Sequence, residues 1–480
     1  MALILFVLMA SVLVDIAAPR VGMDRVAAIA LLVFLPCAWR QYGIKEVGIA
    51  TAAAASAVIL LASSPPADAV GTILAALANG ARLVALILCL TFLRNAAAAS
   101  PLVARTGRYL ARQPPGRRYL ALSAGGHLFG LMLNFGVINL LGPVVRESGR
   151  TTADATAEDR RRALIRRRRM MVALIRGFSL VMVWSPASVA QAVLITSVAG
   201  LAWIDLVPYT LTWVAVVWAL GWLQDRIAWH RARQRPSGTV PGTRPFGEFH
   251  GEADAGQWRD LAGLCAITAG MLGCVVLLNA AAGLSLLQSV MTAAPIFAVI
   301  WLGIQPQRAT LASRSIETWQ TLRNTVRHDL PAQGREVALL GSAGFIGVAL
   351  PALIPSDVLV GIVDPAVIAQ PVAGVVMMAA VIIGGTAGIS PLIMVPILGG
   401  LLTSLPVGTV DPVFAGLAIS AGWGLCNGST PFAASAVLAG RFVDSGPERV
   451  VWRWNGAFTV LAMAVCALFL FAISPLLPPG

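Results

Sequence analysis

Side-chain oxygens and helix-breaking residues cluster in four apolar segments of this 480-residue chain. The oxygens of serine, threonine and asparagine, with the backbone carbonyls that an unwound helix exposes, suit a small hard cation. The amino terminus of a half-helix carries partial positive charge, which suits an anion. We therefore predict a solute and ion site formed by Asn134, Gly136, Asn139, Ser185, Pro186, Ser188, Thr386, Ser390, Asn427, Ser429 and Thr430, with Na⁺ expected at Asn134, Ser185, Thr386 and Asn427.

Two of the four segments are long apolar runs interrupted near the middle by proline. Residues 170–200 contain Ser-Pro-Ala-Ser, and residues 412–441 contain Asn-Gly-Ser-Thr-Pro. A proline within a span removes one backbone hydrogen bond and clashes with the preceding turn, while serine and threonine can bond the freed groups. We predict two broken helices. Their breaks also share a local sequence, Ser-Pro-Ala-Ser-Val-Ala-Gln-Ala-Val-Leu against Ser-Thr-Pro-Phe-Ala-Ala-Ser-Ala-Val-Leu, as diverged repeats would.

The other two segments are predicted to be re-entrant hairpins. Residues 119–145 are uncharged, yet arginines flank both ends, Arg117 and Arg118 before and Arg146 and Arg150 after. Because both flanks favour the cytoplasm, the segment is expected to enter the membrane and return on the same side. One long tilted helix is the alternative, but it would put many arginines outside. The second hairpin, 370–405, has no flanking arginine and is placed outside.

Composition indicates a polytopic membrane protein. The chain is 58% hydrophobic and 12% charged, with a mean hydropathy of +0.80, which excludes a water-soluble fold of this length. The net charge of +13 comes from arginines in short loops, an orientation signal that does not indicate nucleic-acid binding. The six cysteines are scattered singly, so neither a disulfide framework nor a zinc site is supported. We expect no cofactor other than Na⁺ or H⁺ as coupling ion.

The spans divide into an inverted-topology repeat. We expect an all-α polytopic membrane protein with about 11 transmembrane helices plus the two hairpins, the amino terminus inside and the carboxyl terminus outside. Five crossings per half is an odd number, so the second half must be inverted relative to the first. The predicted units are an extra first helix at 1–18, a first repeat at 19–224, a cytoplasmic linker at 225–257 and a second repeat at 258–480.

Other polar features carry two interpretations each. His127 could relay protons or bind solute, or simply be a satisfied packing residue. Arg82 could attract an anion, or snorkel to the interface. The segments 102–112 and 356–368 are expected to be interfacial arms or basic loops. For the oxygen-bearing residues, the ordinary alternative is close helix packing through small side chains.

The layout resembles the ion transporter superfamily, which includes divalent-anion sodium symporters, arsenite permeases and tripartite-transporter membrane subunits. Residues 134–143, Asn-Phe-Gly-Val-Ile-Asn-Leu-Leu-Gly-Pro, are similar to the hairpin of the arsenite and antiporter branches, and residues 427–431 to the second break. The Ser-Asn-Thr tips of the dicarboxylate branch are absent. Phe135 stands where the antiporter pattern has aspartate, so the branch is left open.

The resemblance implies a secondary transporter that works by an elevator mechanism as a homodimer. We expect it to move a small anionic solute, a carboxylate or oxoanion, with Na⁺ or H⁺ across the bacterial cytoplasmic membrane, in contact with membrane lipid. A cation/proton antiporter or metalloid exporter of the same fold is the first alternative. A polytopic membrane enzyme is the second, but it should place paired acids or histidines in a surface loop, whereas the acids at 147–159 are interspersed with arginines.

Overall fold

The computed structural model describes residues 1–114, 117–150, 155–234, 257–305, 311–353, 369–404 and 408–477. Regular structure in these residues is entirely helical. The α-helices are α1 Ala2–Ala17, α2 Asp24–Cys37, α3 Ile44–Ser63, α4 Pro66–Ala98, α5 Pro101–Ala111, α6 Arg118–Leu133, α7 Gly136–Ser148, α8 Ala157–Trp184, α9 Val189–Ser197, α10 Trp203–Gln234, α11 Gln257–Ala282, α12 Leu286–Ile304, α13 Leu311–Asn324, α14 Gly334–Leu353, α15 Gln370–Thr386, α16 Pro391–Ser404, α17 Pro412–Ser429, α18 Ala434–Val443 and α19 Gly456–Ile473.

The chain is an all-helical polytopic membrane protein. Eight helical stretches among the described residues are long and apolar enough to cross a membrane. Three further apolar helices, α1, α15 and α16, are shorter than a full crossing needs. The prediction of about eleven crossings therefore stays a prediction, and so does the side of each terminus.

The helices pack as two bundles. We call α1–α4 with α11–α14 the frame bundle, and α6–α10 with α15–α19 the site bundle. In the frame bundle α4 and α14 cross backbone to backbone, because a methyl group on Gly344 would lie 2.7 Å from the Cα atom of Gly80. The two bundles meet where α16 packs along α14 and where α4 contacts α6 and α9. Helix α5 contacts α6 and α7 on one side and α11 on the other, so it connects them.

Two helices of the site bundle are interrupted. Residues 185–188 separate α8 from α9, and residues 430–433 separate α17 from α18. We call these segments break 1 and break 2. The second residue of each break is a proline, Pro186 or Pro431. Because proline has no backbone N–H, it cannot donate the hydrogen bond that would continue the helix. The backbone of Ser188 and that of Thr430 are both extended.

Two other helix pairs fold back on themselves. Only Asn134 and Phe135 separate α6 from α7, and we call them tip 1. A methyl group on Gly125 would lie 3.6 Å from Leu141, although sixteen residues of continuous helix would separate these positions by about 24 Å. Residues 387–390, tip 2, turn α15 back into α16 in the same way. There Gly388 takes a φ of +92°, which favours glycine.

The arginine-rich segment before the first broken helix is helical, which differs from the loop that we expected. Helix α8 begins at Ala157 and not near residue 170. Thr156 and Asp159 form a capping box, and Glu158 pairs with Arg162 one turn later at 3.2 Å. These local interactions stabilise a helix that apolar periodicity does not show.

Other boundaries also shift. Helix α10 continues to Gln234, so the first residues of the predicted linker 225–257 are helical, and residues 235–256 lie outside the described residues. The basic segment 305–335 contains α13. The 102–112 arm is α5, whose Arg105 pairs with Asp260 of α11 through two bonds of 2.7 and 3.0 Å. The second arm, 356–368, lies outside the described residues.

Candidate functional site

The two broken helices cross in opposite directions at the centre of the site bundle. Ser179 lies beside Gly428, where a methyl group would be 3.5 Å from the serine Oγ, while Gln191 donates to Ser420 Oγ at 3.0 Å. Residue numbers that increase along α8 and α9 therefore pair with residue numbers that decrease along α17, so the two broken helices are antiparallel. Val183 packs on Gly424 between these two points. Break 1 begins two residues after Val183 and break 2 six residues after Gly424, so both lie close to the crossing.

Break 1 is closed by its own serines. The Oγ of Ser185, fully buried, accepts the Ala187 N–H at 3.3 Å. Ser188 caps α9 by accepting the Gln191 N–H at 3.2 Å. Pro186 is buried between them. Both predicted oxygen ligands of this break therefore already accept one hydrogen bond from the backbone, and each hydroxyl oxygen keeps a second lone pair.

The last carbonyls of α8 are also bonded. Gln191 Nε2 donates to the Val183 carbonyl at 2.6 Å, and Trp203 Nε1 donates to the Trp184 carbonyl at 2.8 Å. The expectation that unwinding leaves carbonyls open for a cation is therefore only partly met at break 1. A carbonyl oxygen can accept twice, so these atoms keep one lone pair each.

Break 2 is closed in the same manner by different residues. Ser435 Oγ donates to the Asn427 carbonyl at 2.8 Å and lies 3.4 Å from its Oδ1. Asn455 Nδ2 donates to the Gly428 carbonyl at 2.8 Å. Ser429 Oγ turns back to the Cys426 carbonyl at 3.4 Å. Unlike α9, helix α18 has no side-chain cap, because its preceding residue is alanine.

The end of α15, just before tip 2, is bonded directly to break 2. Thr430 Oγ1 donates to the Gly385 carbonyl at 2.6 Å, which joins the end of α15 to the end of α17. Gly385 packs against Cys426 so closely that no side chain fits between them. Of the two predicted tip 2 ligands, Thr386 donates to its own helix at Ile383 and Ser390 accepts the Leu392 N–H at the start of α16.

Tip 1 lies beside the end of α8. Helices α6 and α8 run parallel, since Ser123 touches Gly177 and Gly130 touches Val181 further along. The dihedrals of Asn134, φ 51° and ψ −129°, are those of the first central residue of a type II′ turn. Its Oδ1 is buried and has no partner among the described residues. Gly136 begins α7 there, while Asn139 is exposed and does not join the cluster.

The two accessory residues have different surroundings. His127 is held on both ring nitrogens: Nδ1 lies 3.2 Å from the Gly177 carbonyl and Trp184 Nε1 donates to Nε2 at 3.0 Å. Trp218 stacks on the ring at 5.7 Å. These partners fit a neutral, packed histidine with the proton on Nδ1. Arg82 is exposed on α4 in the frame bundle, and the contacts described for tips and breaks do not include it.

Arg176 is a buried charge that the sequence patterns did not single out. Its side chain is 7% exposed, its Nε donates to Asn455 Oδ1 at 2.8 Å, and its guanidinium lies 3.9 Å from the centre of the Phe458 ring. Asn455 also donates to the Gly428 carbonyl, two residues before break 2, so Arg176 supports this break through Asn455. The sequence could have identified Arg176, because it is the only charged residue in the apolar run 170–184. Charged residues inside a membrane span usually mark function.

The candidate oxygen ligands of the tips and breaks are carbonyl, amide and hydroxyl oxygens, which carry no charge. Within the described ranges, no group of three histidine, cysteine or acidic side chains could hold a metal ion. A cavity of about 400 Å³ lies at the opposite end of α9 from break 1, between residues 195–202 and Gly347, Pro351 and Gly400. It separates the end of the first broken helix from the frame bundle, and it is not lined by the tips.

Comparison with known proteins supports the fold and goes no further. No family model matches the sequence, and a search of curated proteins finds no match. Among solved structures, the YdaH transporter of Alcanivorax borkumensis aligns with a TM-score of 0.53 at 14% identity, covering 91% of this chain and 98% of that one. Over nearly its whole length, this chain has the fold of a crystallised membrane transporter.

Proposed function

We propose that this protein is a secondary active transporter that moves a small anionic solute, a carboxylate or oxoanion, coupled to Na⁺ or H⁺. The observation that carries the proposal is that some helices of each half of the site bundle pack on helices of the other half. Helix α6 packs on α8 and α15 on α17, whereas α7 packs on α18 and α16 on α9. This is the pattern that two inverted repeats would produce, each placing a tip beside a break.

The tips and breaks supply the chemistry of the proposed site. Buried Asn134 Oδ1 and the second lone pairs of the break carbonyls are neutral oxygens that suit Na⁺. The uncapped start of α18 offers N–H groups and partial positive charge to an anion. Cation and anion would bind about the crossing of α8 and α17, where their charges attract each other.

The arrangement of the proposed transporter in the membrane follows from the same repeats. The tips at 134–135 and 387–390 would enter from the cytoplasmic and outer sides of the bacterial cytoplasmic membrane. The frame bundle would stay fixed, pairing with a second copy, while the site bundle moves against it along the contact of α14 and α16. Cross-linking of the purified protein would test the homodimer.

Reconstituted vesicles test the function. Purified protein would be assayed for uptake of succinate, citrate, sulfate, phosphate and arsenite under an inward Na⁺ or H⁺ gradient. We expect gradient-driven uptake of at least one of the organic or inorganic anions. Cation-driven proton flux with none of these solutes would indicate the antiporter, arsenite efflux the metalloid exporter, and no flux of any kind would overturn the proposal.

A matched pair of variants assigns any uptake to the site. Thr430→Val keeps the shape of the side chain but removes the bond to the Gly385 carbonyl, so we expect a rate about tenfold lower, the scale of one buried hydrogen bond. Thr292→Val removes a similar bond, 2.9 Å to Gln288, within α12 of the frame bundle. That control should transport like the wild type. Equal rates for both variants would remove Thr430 from the site.

A further inference from the structure

Lys45 is the only lysine of the chain. It lies in the first turn of α3 on the frame bundle, with its side chain exposed. Its Nζ is 4.9 Å from the centre of the Phe432 ring. Phe432 belongs to break 2 and is 52% exposed. One cation of the frame bundle thus reaches the break of the site bundle.

Tip 2 lies against the same ring. A methyl group on Gly388 would lie 3.6 Å from Phe432. One turn along α3 from Lys45, Ile49 is 2% exposed and shares a cluster with Ala343 and Ile346 of α14, against which Leu392 and Ile393 at the start of α16 pack. The position of Lys45 is therefore set by the packing of α3 on α14, and its ammonium lies over a ring of break 2 that tip 2 also contacts.

The ammonium of Lys45 has no anionic partner in the part of the chain that the structure describes. The adjacent carboxylate, Glu46, accepts the Gly43 N–H at 2.7 Å and caps α3. An ammonium over an exposed ring keeps its three N–H donors available. The uncapped amino terminus of α18 begins two residues after Phe432, so a second source of partial positive charge follows this ring in the chain.

We propose that Lys45 is the anion-binding residue which the frame bundle contributes to the solute site. A carboxylate or oxoanion would accept a hydrogen bond from the Lys45 ammonium beside Phe432. As the site bundle moves, this contact would exist only in the state in which break 2 lies beside the start of α3. The inference rests on the proposed function, because it assigns one end of the anionic solute to a named residue. A lipid phosphate at the membrane interface is the other source of the same chemistry.

Single-site chemistry tests the proposal before the solute is identified. Because the chain has one lysine, an amine-specific acetylating reagent modifies only Lys45 and the amino terminus, and peptide mass spectrometry separates the two. Protein in nanodiscs of neutral lipid would be labelled with succinate, sulfate or phosphate against sodium chloride of equal ionic strength. We expect at least one of these anions to slow labelling of Lys45 several-fold while the amino terminus reacts unchanged.

Variants separate the charge from the packing. Lys45→Arg should keep the thermal stabilisation that the protecting anion gives, and Lys45→Gln should lose it, with apparent affinity at least about tenfold weaker, the scale of one charge-assisted hydrogen bond. Arg40→Gln removes an exposed charge five residues away and should behave as wild type. Phe432→Leu, which removes the ring that covers the ammonium, should speed labelling when no anion is present.

Three results would overturn the proposal. They are labelling that no anion slows, protection by anionic lipid alone, and equal anion binding by Lys45→Gln and the wild type. If wild-type vesicles take up an anion and Lys45→Gln does so with unchanged saturation, the assignment of Lys45 fails while the transporter stands. If no anion is taken up and none protects Lys45, both proposals fail together.

Discussion

Gln191 and Ser435 make the same hydrogen bond in the two halves of the site bundle. Each donates its side chain to the carbonyl eight residues before it, across a helix break: Gln191 to Val183 at 2.6 Å and Ser435 to Asn427 at 2.8 Å. The shared local sequence of the breaks aligns these two residues with each other. A glutamine and a serine therefore perform the same task, each satisfying a carbonyl across its break.

Loss of this bond should destabilise the protein. Ser435→Ala would leave the buried Asn427 carbonyl short of a donor, at a cost of about 1 to 3 kcal/mol. We expect a lower melting temperature in detergent. Thr212→Ala is the control, because Thr212 Oγ1 makes a 2.8 Å bond to Pro208 at an exposed position of α10. A melting temperature for Ser435→Ala no lower than that of the control would show that the bond contributes little.

Asn134 allows backbone strain and ligand chemistry to be separated. Asn134→Gly suits the positive φ and removes the side-chain amide, so it should fold at least as well as the wild type yet lose transport. Asn134→Ala removes the same amide and adds about 1 kcal/mol of strain. Both variants should therefore be inactive, with the alanine one melting lower. Full uptake by Asn134→Gly would exclude the amide oxygen from the site.

Arg176 and Asn455 should be energetically coupled. Their side chains touch at 2.8 Å in a buried position, and contacting polar residues show coupling energies of about 0.5 to 3 kcal/mol. We expect Arg176→Met and Asn455→Leu each to lower thermal stability, and the double variant to lose less than the sum. Strict additivity in this double-mutant cycle would mean that the hydrogen bond does not hold break 2.

His127 is expected to act as a packing residue. Both ring nitrogens have partners, so no proton can move through the ring without breaking a bond to Gly177 or Trp184. His127→Gln should lower thermal stability but leave the shape of the pH profile of uptake unchanged between about pH 5 and 8, where histidine titrates. A flattened profile would restore the proton-relay interpretation.

Prolines and flanking arginines in the sequence predicted the helix ends at the two breaks and at tip 1. The prolines at 186 and 431 and the arginines around 119–145 indicated breaks and reversals within a few residues of where α8, α17 and α6 end. The site was harder to predict. Thr386 turned out to bond its own helix, while Gly385, which offers only a carbonyl, meets Thr430. Which oxygen a threonine reaches depends on the packing of distant helices, and no local pattern encodes it.

Residues outside the apolar pattern were missed for a related reason. The α8 arginines form a helix through capping and ion pairs, which apolar periodicity does not report. No sequence pattern singles out Lys45. Its meaning depends on Phe432, which is almost 400 residues away along the sequence, so only the folded structure brings the pair together.

The exchange of helices between the halves constrains how the protein is made. Helices α9 and α7 need α16 and α18 as packing partners, and α16 ends roughly 200 residues after α9. At the pace of ribosomal synthesis, about 5 to 20 residues per second, these residues take about ten seconds or more to make. The surfaces of α7 and α9 that pack on α18 and α16 are therefore covered only after most of the second half has been synthesised.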